Sequence, residues 1–164
     1  MTTTTSRKRR ASKILERQPL SRNPDISTSP EGRILRYKFE PLVYANEIRL
    51  LRVTKSSSHE GWEYSIEHHV LETAPSFETV SYVWGDGNQR HTLSIGVTPG
   101  DRSYAIFINE NLQEAIPWLS WHCRTGYLWI DQICINQISI NERNHQVKIM
   151  GKIYSHGKRV LVWL

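Results

Sequence analysis

Three short stretches place chemically capable side chains beside elements that would hold them still. Asp131 follows the apolar run Tyr127-Leu128-Trp129-Ile130 and shares a polar loop with Asn136 and Gln137. An acid at the carboxyl end of a buried parallel strand sits where open α/β sheets bind ligands. Next comes Ser139-Ile140-Asn141-Glu142-Arg143, whose Ser-x-x-Glu spacing is a capping box that opens a helix. That helix would turn free N–H groups and its positive end into the crevice of Asp131, a setting for phosphate or pyrophosphate, with Arg143 as a further contact. Trp84-Gly85-Asp86 would form a rim where an aromatic face meets a planar ring. Each feature also has a plainer role. Asp131 can bond loop backbone, Glu142 can serve the cap, Arg143 can sit in water, and Trp84 can be core.

Other reactive types are less well arranged. Cys134 and His145 could form a nucleophile and base, but a cysteine between Ile133 and Ile135 reads as a small buried apolar residue. His68 and His69 are adjacent, so a strand would point them to opposite faces, and no zinc-type Cys/His spacing occurs. No metal site and no glycine-rich phosphate loop is expected.

The positioning elements follow from pattern. Residues 48–53 and 62–71 read as an antiparallel pair around the polar turn 55–61, and 77–84 as a third strand ended by Gly85-Asp86-Gly87-Asn88. Residues 91–97 and 104–108 suggest a hairpin about Pro99-Gly100-Asp101. Asn109 can cap a helix whose inner face is Leu112, Ala115, Ile116 and Leu119, with Pro117 expected to kink or end it. Residues 127–130 are apolar throughout, as a strand covered on both faces must be. A polar loop is expected over 131–137. A second helix then has Val147, Met150, Ile153 and Tyr154 at helical spacing and Gly157 at its close, before the apolar strand 160–164. The expected class is α/β: a mixed sheet with antiparallel amino-terminal strands and a parallel βαβαβ carboxyl half.

The chain has 164 residues and carries +5, all of it in residues 1–33, where eight Lys/Arg face three Asp/Glu. The remaining thirteen basic and thirteen acidic residues balance, so the folded part lacks the basic surface that nucleic acid requires. Residues 1–36 read as a disordered basic tail and 37–164 as the domain. Arg7-Lys8-Arg9-Arg10 fits a nuclear signal, and the Arg/Ser/Thr-rich start fits a mitochondrial presequence. A cytoplasmic or nuclear protein is the expectation, since two cysteines make no disulfide framework. No apolar run approaches the roughly 20 residues of a bilayer-spanning helix.

Ser81-Tyr82-Val83-Trp84-Gly85-Asp86 resembles the first signature of the fungal heterokaryon-incompatibility (HET) domain. Leu128-Trp129-Ile130-Asp131-Gln132-Ile133-Cys134-Ile135-Asn136-Gln137 resembles its second, and Glu142-Arg143, Gln146-Val147, Met150, Ile153-Tyr154 and residues 160–164 continue the pattern in order. The resemblance spans about residues 44–164. It implies self/non-self recognition and cell-death signalling through self-association or partner contact. It also implies distant kinship to TIR domains, with a flavodoxin-like fold and, in some members, NAD hydrolysis. On that reading Glu142 and Asp131 are catalytic carboxylates, Glu142 stabilising oxocarbenium-like charge at a nicotinamide–ribose bond and Asp131 lining the same crevice. Trp84, Gly85, Asp86, Asn136, Gln137 and Arg143 would hold the NAD, here a substrate. Family members commonly continue past the position of Leu164, which implies a domain truncated at its carboxyl end.

Overall fold

The computed structural model describes residues 35–57, 59–85, 89–96 and 104–164. The expected tail (apart from 35–36), Asp86 with its turn, and the hairpin tip about Pro99-Gly100-Asp101 lie outside the described residues. Leu35 and Arg36, assigned to the tail from sequence, form a short strand β1 (Leu35–Arg36) parallel to β6 (Tyr104–Ile108). On its other side β6 pairs antiparallel with β5 (His91–Ile95), completing a three-stranded sheet.

The larger sheet has five strands in the order β3-β2-β7-β4-β8. β2 (Glu47–Lys55) and β3 (Trp62–Val70) form the expected antiparallel pair, in register Leu51↔Ile66. β7 (Tyr127–Trp129) lies antiparallel to β2 and parallel to β4 (Glu78–Tyr82), and β8 (Val160–Trp163) is parallel to β4. The fold is thus α/β with mixed sheets. Its parallel trio is β7, β4 and β8, while β6 serves the smaller sheet.

Burial explains the order. Leu128, Trp129 and Ile130 are each 0% exposed, as an apolar run flanked on both sides requires. Side-chain alternation sends Trp129 and Thr79 toward α3 (Ile140–His156), where the Trp129 and Tyr154 rings meet at 5.7 Å. Val80, Leu161 and Trp163 face the opposite way, toward α1 (Glu110–His122), where the Trp118 and Trp163 rings lie 5.8 Å apart.

Four expectations change. Pro117 does not end α1, which runs on to His122; Pro117 faces solvent and gives up only its own backbone donor. The loop expected over 131–137 begins as a helical turn, α2 (Asp131–Cys134), because Ile133, Cys134 and Ile135 are buried and draw the backbone inward. On α3, Val147 is 56% exposed and Gln146 takes the inner position, its amide donating to the Glu47 carbonyl at 2.9 Å. The apolar strand 160–164 occupies a sheet edge, which leaves Val160 and Val162 half in solvent.

Candidate functional site

The caps that place the site are local. The Asn109 side chain accepts from Leu112 N–H at 2.8 Å and so opens α1. At α3, Ser139 Oγ accepts from Glu142 N–H at 3.3 Å. The reciprocal half of the capping box does not form. Ser139 N–H goes to the Asn136 carbonyl at 3.1 Å, and the Glu142 carboxylate turns to the sheet.

There it meets Arg49, a side chain 0% exposed on β2. Arg49 Nη1 donates to Glu142 Oε1 at 2.6 Å and Nη2 to Oε2 at 3.2 Å, a two-pronged pairing across the fold. Asn136 N–H donates to Oε1 at 2.7 Å. Every remaining guanidinium direction is used: Nη1 to the Cys134 carbonyl at 3.2 Å, Nη2 to the Glu40 carbonyl, and Nε to His68 Nε2 at 3.2 Å. Because His68 Nε2 accepts, its proton is on Nδ1, which donates to Glu47 Oε1 at 2.9 Å. Burial pushes the Glu47 carboxyl upward, but the bonds from His68 and from the Val43 and Tyr44 N–H groups outweigh it and leave a net lowering. A carboxylate–imidazole–guanidinium–carboxylate chain therefore runs from β2 and β3 to the start of α3.

Glu142 also lines a cleft of about 380 Å³ between the segment 41–45 and α3. Tyr44, Ser139 and His145 share its wall. His145 Nε2 donates to the Ala45 carbonyl at 2.5 Å, which places a proton on that nitrogen. Glu142 and His145 stand three residues apart on one helix, hence on one face.

Asp131 lies at the carboxyl end of β7, as expected, but its polar atoms are engaged. Oδ1 accepts from Gln132 N–H at 2.7 Å and Oδ2 from Trp84 Nε1 at 3.1 Å, while Gln137 Nε2 bonds the Asp131 carbonyl at 2.8 Å. Burial raises its pKa from the ordinary aspartate value despite those bonds. Burial, with the Asp131 charge nearby, also drives the Tyr82 phenol far up. Trp84 is half-buried and forms, with Gly85, Asn109 and Glu114, a second cleft of about 290 Å³. Gly85 turns the chain at φ +67°, a conformation that suits glycine. Asn136 and Gln137 line a third recess of about 50 Å³ with Tyr37, Phe39 and Gln132. Arg143 is exposed on α3.

The structure therefore joins Asp131 to Trp84, and Glu142 to Asn136, and divides the expected single crevice into separate recesses. Cys134 and His145 do not pair: the Cys134 thiol accepts from Ile130 N–H at 3.4 Å, and burial pushes its pKa up to about 12. His68 faces Glu47 and Arg49, whereas His69 faces Glu67 at 3.2 Å. Among the described residues no cluster of three or more His, Cys, Asp or Glu could hold a metal ion.

Sequence reasoning missed Arg49, Glu47 and Gln132, and weighed His68 only as a metal ligand. One signal for Arg49 existed: it shares strand phase with Leu51 and Val53, an apolar face on which a charge needs a buried partner. Gln132 gave none. Its Oε1 accepts from Asn109 N–H and from Tyr82 Oη, each at 3.3 Å, and so ties α2 to the start of α1.

Among known proteins, the family model described as "Heterokaryon incompatibility protein (HET)" matches residues 77–164. The chain is 34% identical over 128 residues to "Heterokaryon incompatibility protein 6, OR allele" of Neurospora crassa. The alignment takes in 73% of this chain and 19% of that protein, so the chain spans about a fifth of its relative's length. No solved structure matches it.

Proposed function

Because this chain belongs to the heterokaryon-incompatibility (HET) family, we propose that it is the recognition and cell-death signalling module of a fungal incompatibility protein, acting through self-association or contact with a protein partner. The observation that carries this reading is a set of exposed apolar side chains on the segment 41–45 and just before and at the start of α3, the two walls of the Glu142 cleft. Val43 is 76% exposed, Tyr44 62%, Ile138 71% and Ile140 62%. Large apolar side chains left in water beside a cleft mark a surface that another protein covers. The basic cluster Arg7-Lys8-Arg9-Arg10 supports a nuclear or cytoplasmic setting, with a mitochondrial one as the alternative. Among the described residues no helix is long and apolar enough to cross a membrane. The test is expression in a fungal host alongside incompatible partners. Loss of viability that Tyr44→Glu and Ile140→Glu abolish supports the reading; unchanged viability with every partner removes it.

A second reading, cleavage of NAD or a related nucleotide at its glycosidic bond, is favoured by one feature. Glu142 lies in the 380 Å³ cleft with its carboxylate held in place by Arg49, where it could face developing positive charge on a sugar. Trp84 would act from its own recess, its indole held by the bond to Asp131 Oδ2 behind it. Incubation with NAD at high protein concentration, following nicotinamide release, decides the matter. Glu142→Ala and Asp131→Ala should each abolish release, and the absence of release from the wild type excludes the activity.

A further inference from the structure

We propose that β8 is a self-docking edge, through which two copies of the chain join antiparallel, strand to strand, into one continuous sheet. This rests on, and gives a surface to, the self-association arm of the signalling reading. β8 ends the five-stranded sheet and pairs only with β4 among the described residues. The phase of its free edge follows from that pairing. Thr79 stands opposite Val160, and its N–H donates to the Arg159 carbonyl at 3.1 Å. In a parallel ladder this turns the backbone groups of Arg159, Leu161 and Trp163 toward β4 and those of Val160, Val162 and Leu164 outward.

A two-fold axis at Val162 uses all of those outward groups. Val162 then exchanges both backbone bonds with the second copy's Val162, and Val160 with its Leu164. The side chains match as well. Val160 is 45% exposed, Val162 52% and Leu164 95%, and the same axis sets Val162 on Val162 and Val160 on Leu164. On the other face Leu161 meets Trp163. Charge agrees, because no side chain in residues 160–164 is charged and Lys158 and Arg159 lie outside the paired segment. The opposite edge is guarded. β3 carries Glu63 and Glu67, and Gly96 N–H already covers the Tyr64 carbonyl at 3.0 Å. Natural sheets blunt exposed edges with charge or cover, and among the described residues β8 has neither.

Sedimentation of the full chain over about 1–100 μM tests this, with the dimer expected at twice 19.2 kDa. Val162→Lys sets two ammonium groups against each other on the axis and should weaken the dimer at least tenfold with unchanged far-UV circular dichroism. Amide exchange gives a readout independent of any variant. Val160, Val162 and Leu164 N–H should gain protection as concentration rises, while Leu161 and Trp163 stay protected throughout. A wild-type monomer across that range, or a dimer indifferent to Val162→Lys, or protection without this alternation, overturns the proposal. The viability assay is read separately, so a dimer without a death phenotype leaves this contact standing and removes the signalling role.

Discussion

Replacing Arg49 by Met should cost about 3 kcal/mol, near the lower bound for breaking a buried pair, because Glu142 keeps Asn136 N–H and a little solvent. Glu142 is 12% exposed and Arg49 is 0% exposed, so the reverse change, Glu142→Leu, strands the more deeply buried charge. That variant should lose about 4–5 kcal/mol. The double variant removes both charges and leaves the Cys134 and Glu40 carbonyls and His68 Nε2 short of a donor and Asn136 N–H short of an acceptor. Its loss should be about 2 kcal/mol, well below the sum of the single losses, because a pair of buried charges is cheaper to remove together. Urea unfolding followed by tryptophan fluorescence measures all four proteins, and a 3 kcal/mol loss should also lower Tm by roughly 10 °C. Single losses that add within about 0.5 kcal/mol would show the pair to be uncoupled and refute the pinning of α3 by Arg49.

Glu78 is 1% exposed and accepts from Arg124 N–H at 2.9 Å, from Thr125 and Cys123, and from Arg159 at 3.4 Å. Burial raises its pKa, but the bonds from Thr125, Arg124 and Cys123 outweigh it and leave it below the ordinary carboxyl value. Its stabilisation is therefore present above the ordinary carboxyl range and lost as pH falls through the lowered value. Glu78→Gln should cost about 2–3 kcal/mol near neutrality, and the gap from wild type in pH-dependent denaturation should close on acidification; a constant gap contradicts this. Burial, with Glu78 adjacent, pushes the Cys123 thiol up to about 11, and burial takes Cys134 to about 12. Neither should react with a disulfide reagent within minutes at about pH 8 until denaturant is added. Asn109→Ala removes the α1 cap and the bond from Asn109 Nδ2 to the Trp84 carbonyl at 2.6 Å. A loss of about 2 kcal/mol in thermal unfolding is expected, at the high end for a cap because the residue is buried.

Much of the frame was legible from local chemistry. The apolar run at Tyr127-Leu128-Trp129-Ile130 announced a central strand, and Ser139 and Asn109 announced helix starts, because a cap and a buried strand each satisfy requirements within a few residues. The site was less legible because its partners are remote. Arg49 and Glu142 are 93 residues apart, and no short-range spacing encodes such a pair. The Ser-x-x-Glu signature correctly located α3 yet misassigned the carboxylate, since a buried guanidinium outcompetes a single backbone N–H. Helical spacing likewise put Val147 inside, where Gln146 won the position through one bond to β2. The edge placement of β8 was hidden because an apolar segment reads alike whether a second strand or solvent lies beside it.

The family match begins at residue 77, yet β2 lies between β3 and β7 and supplies Arg49. Excision at that boundary would lay bare the flank of β7, leave the Glu142 carboxylate without its counter-ion, and remove the wall formed by 41–45. The folding unit must therefore reach back at least to the segment 41–45, and a piece trimmed to the matched stretch should emerge as an insoluble remnant rather than a smaller version of the module.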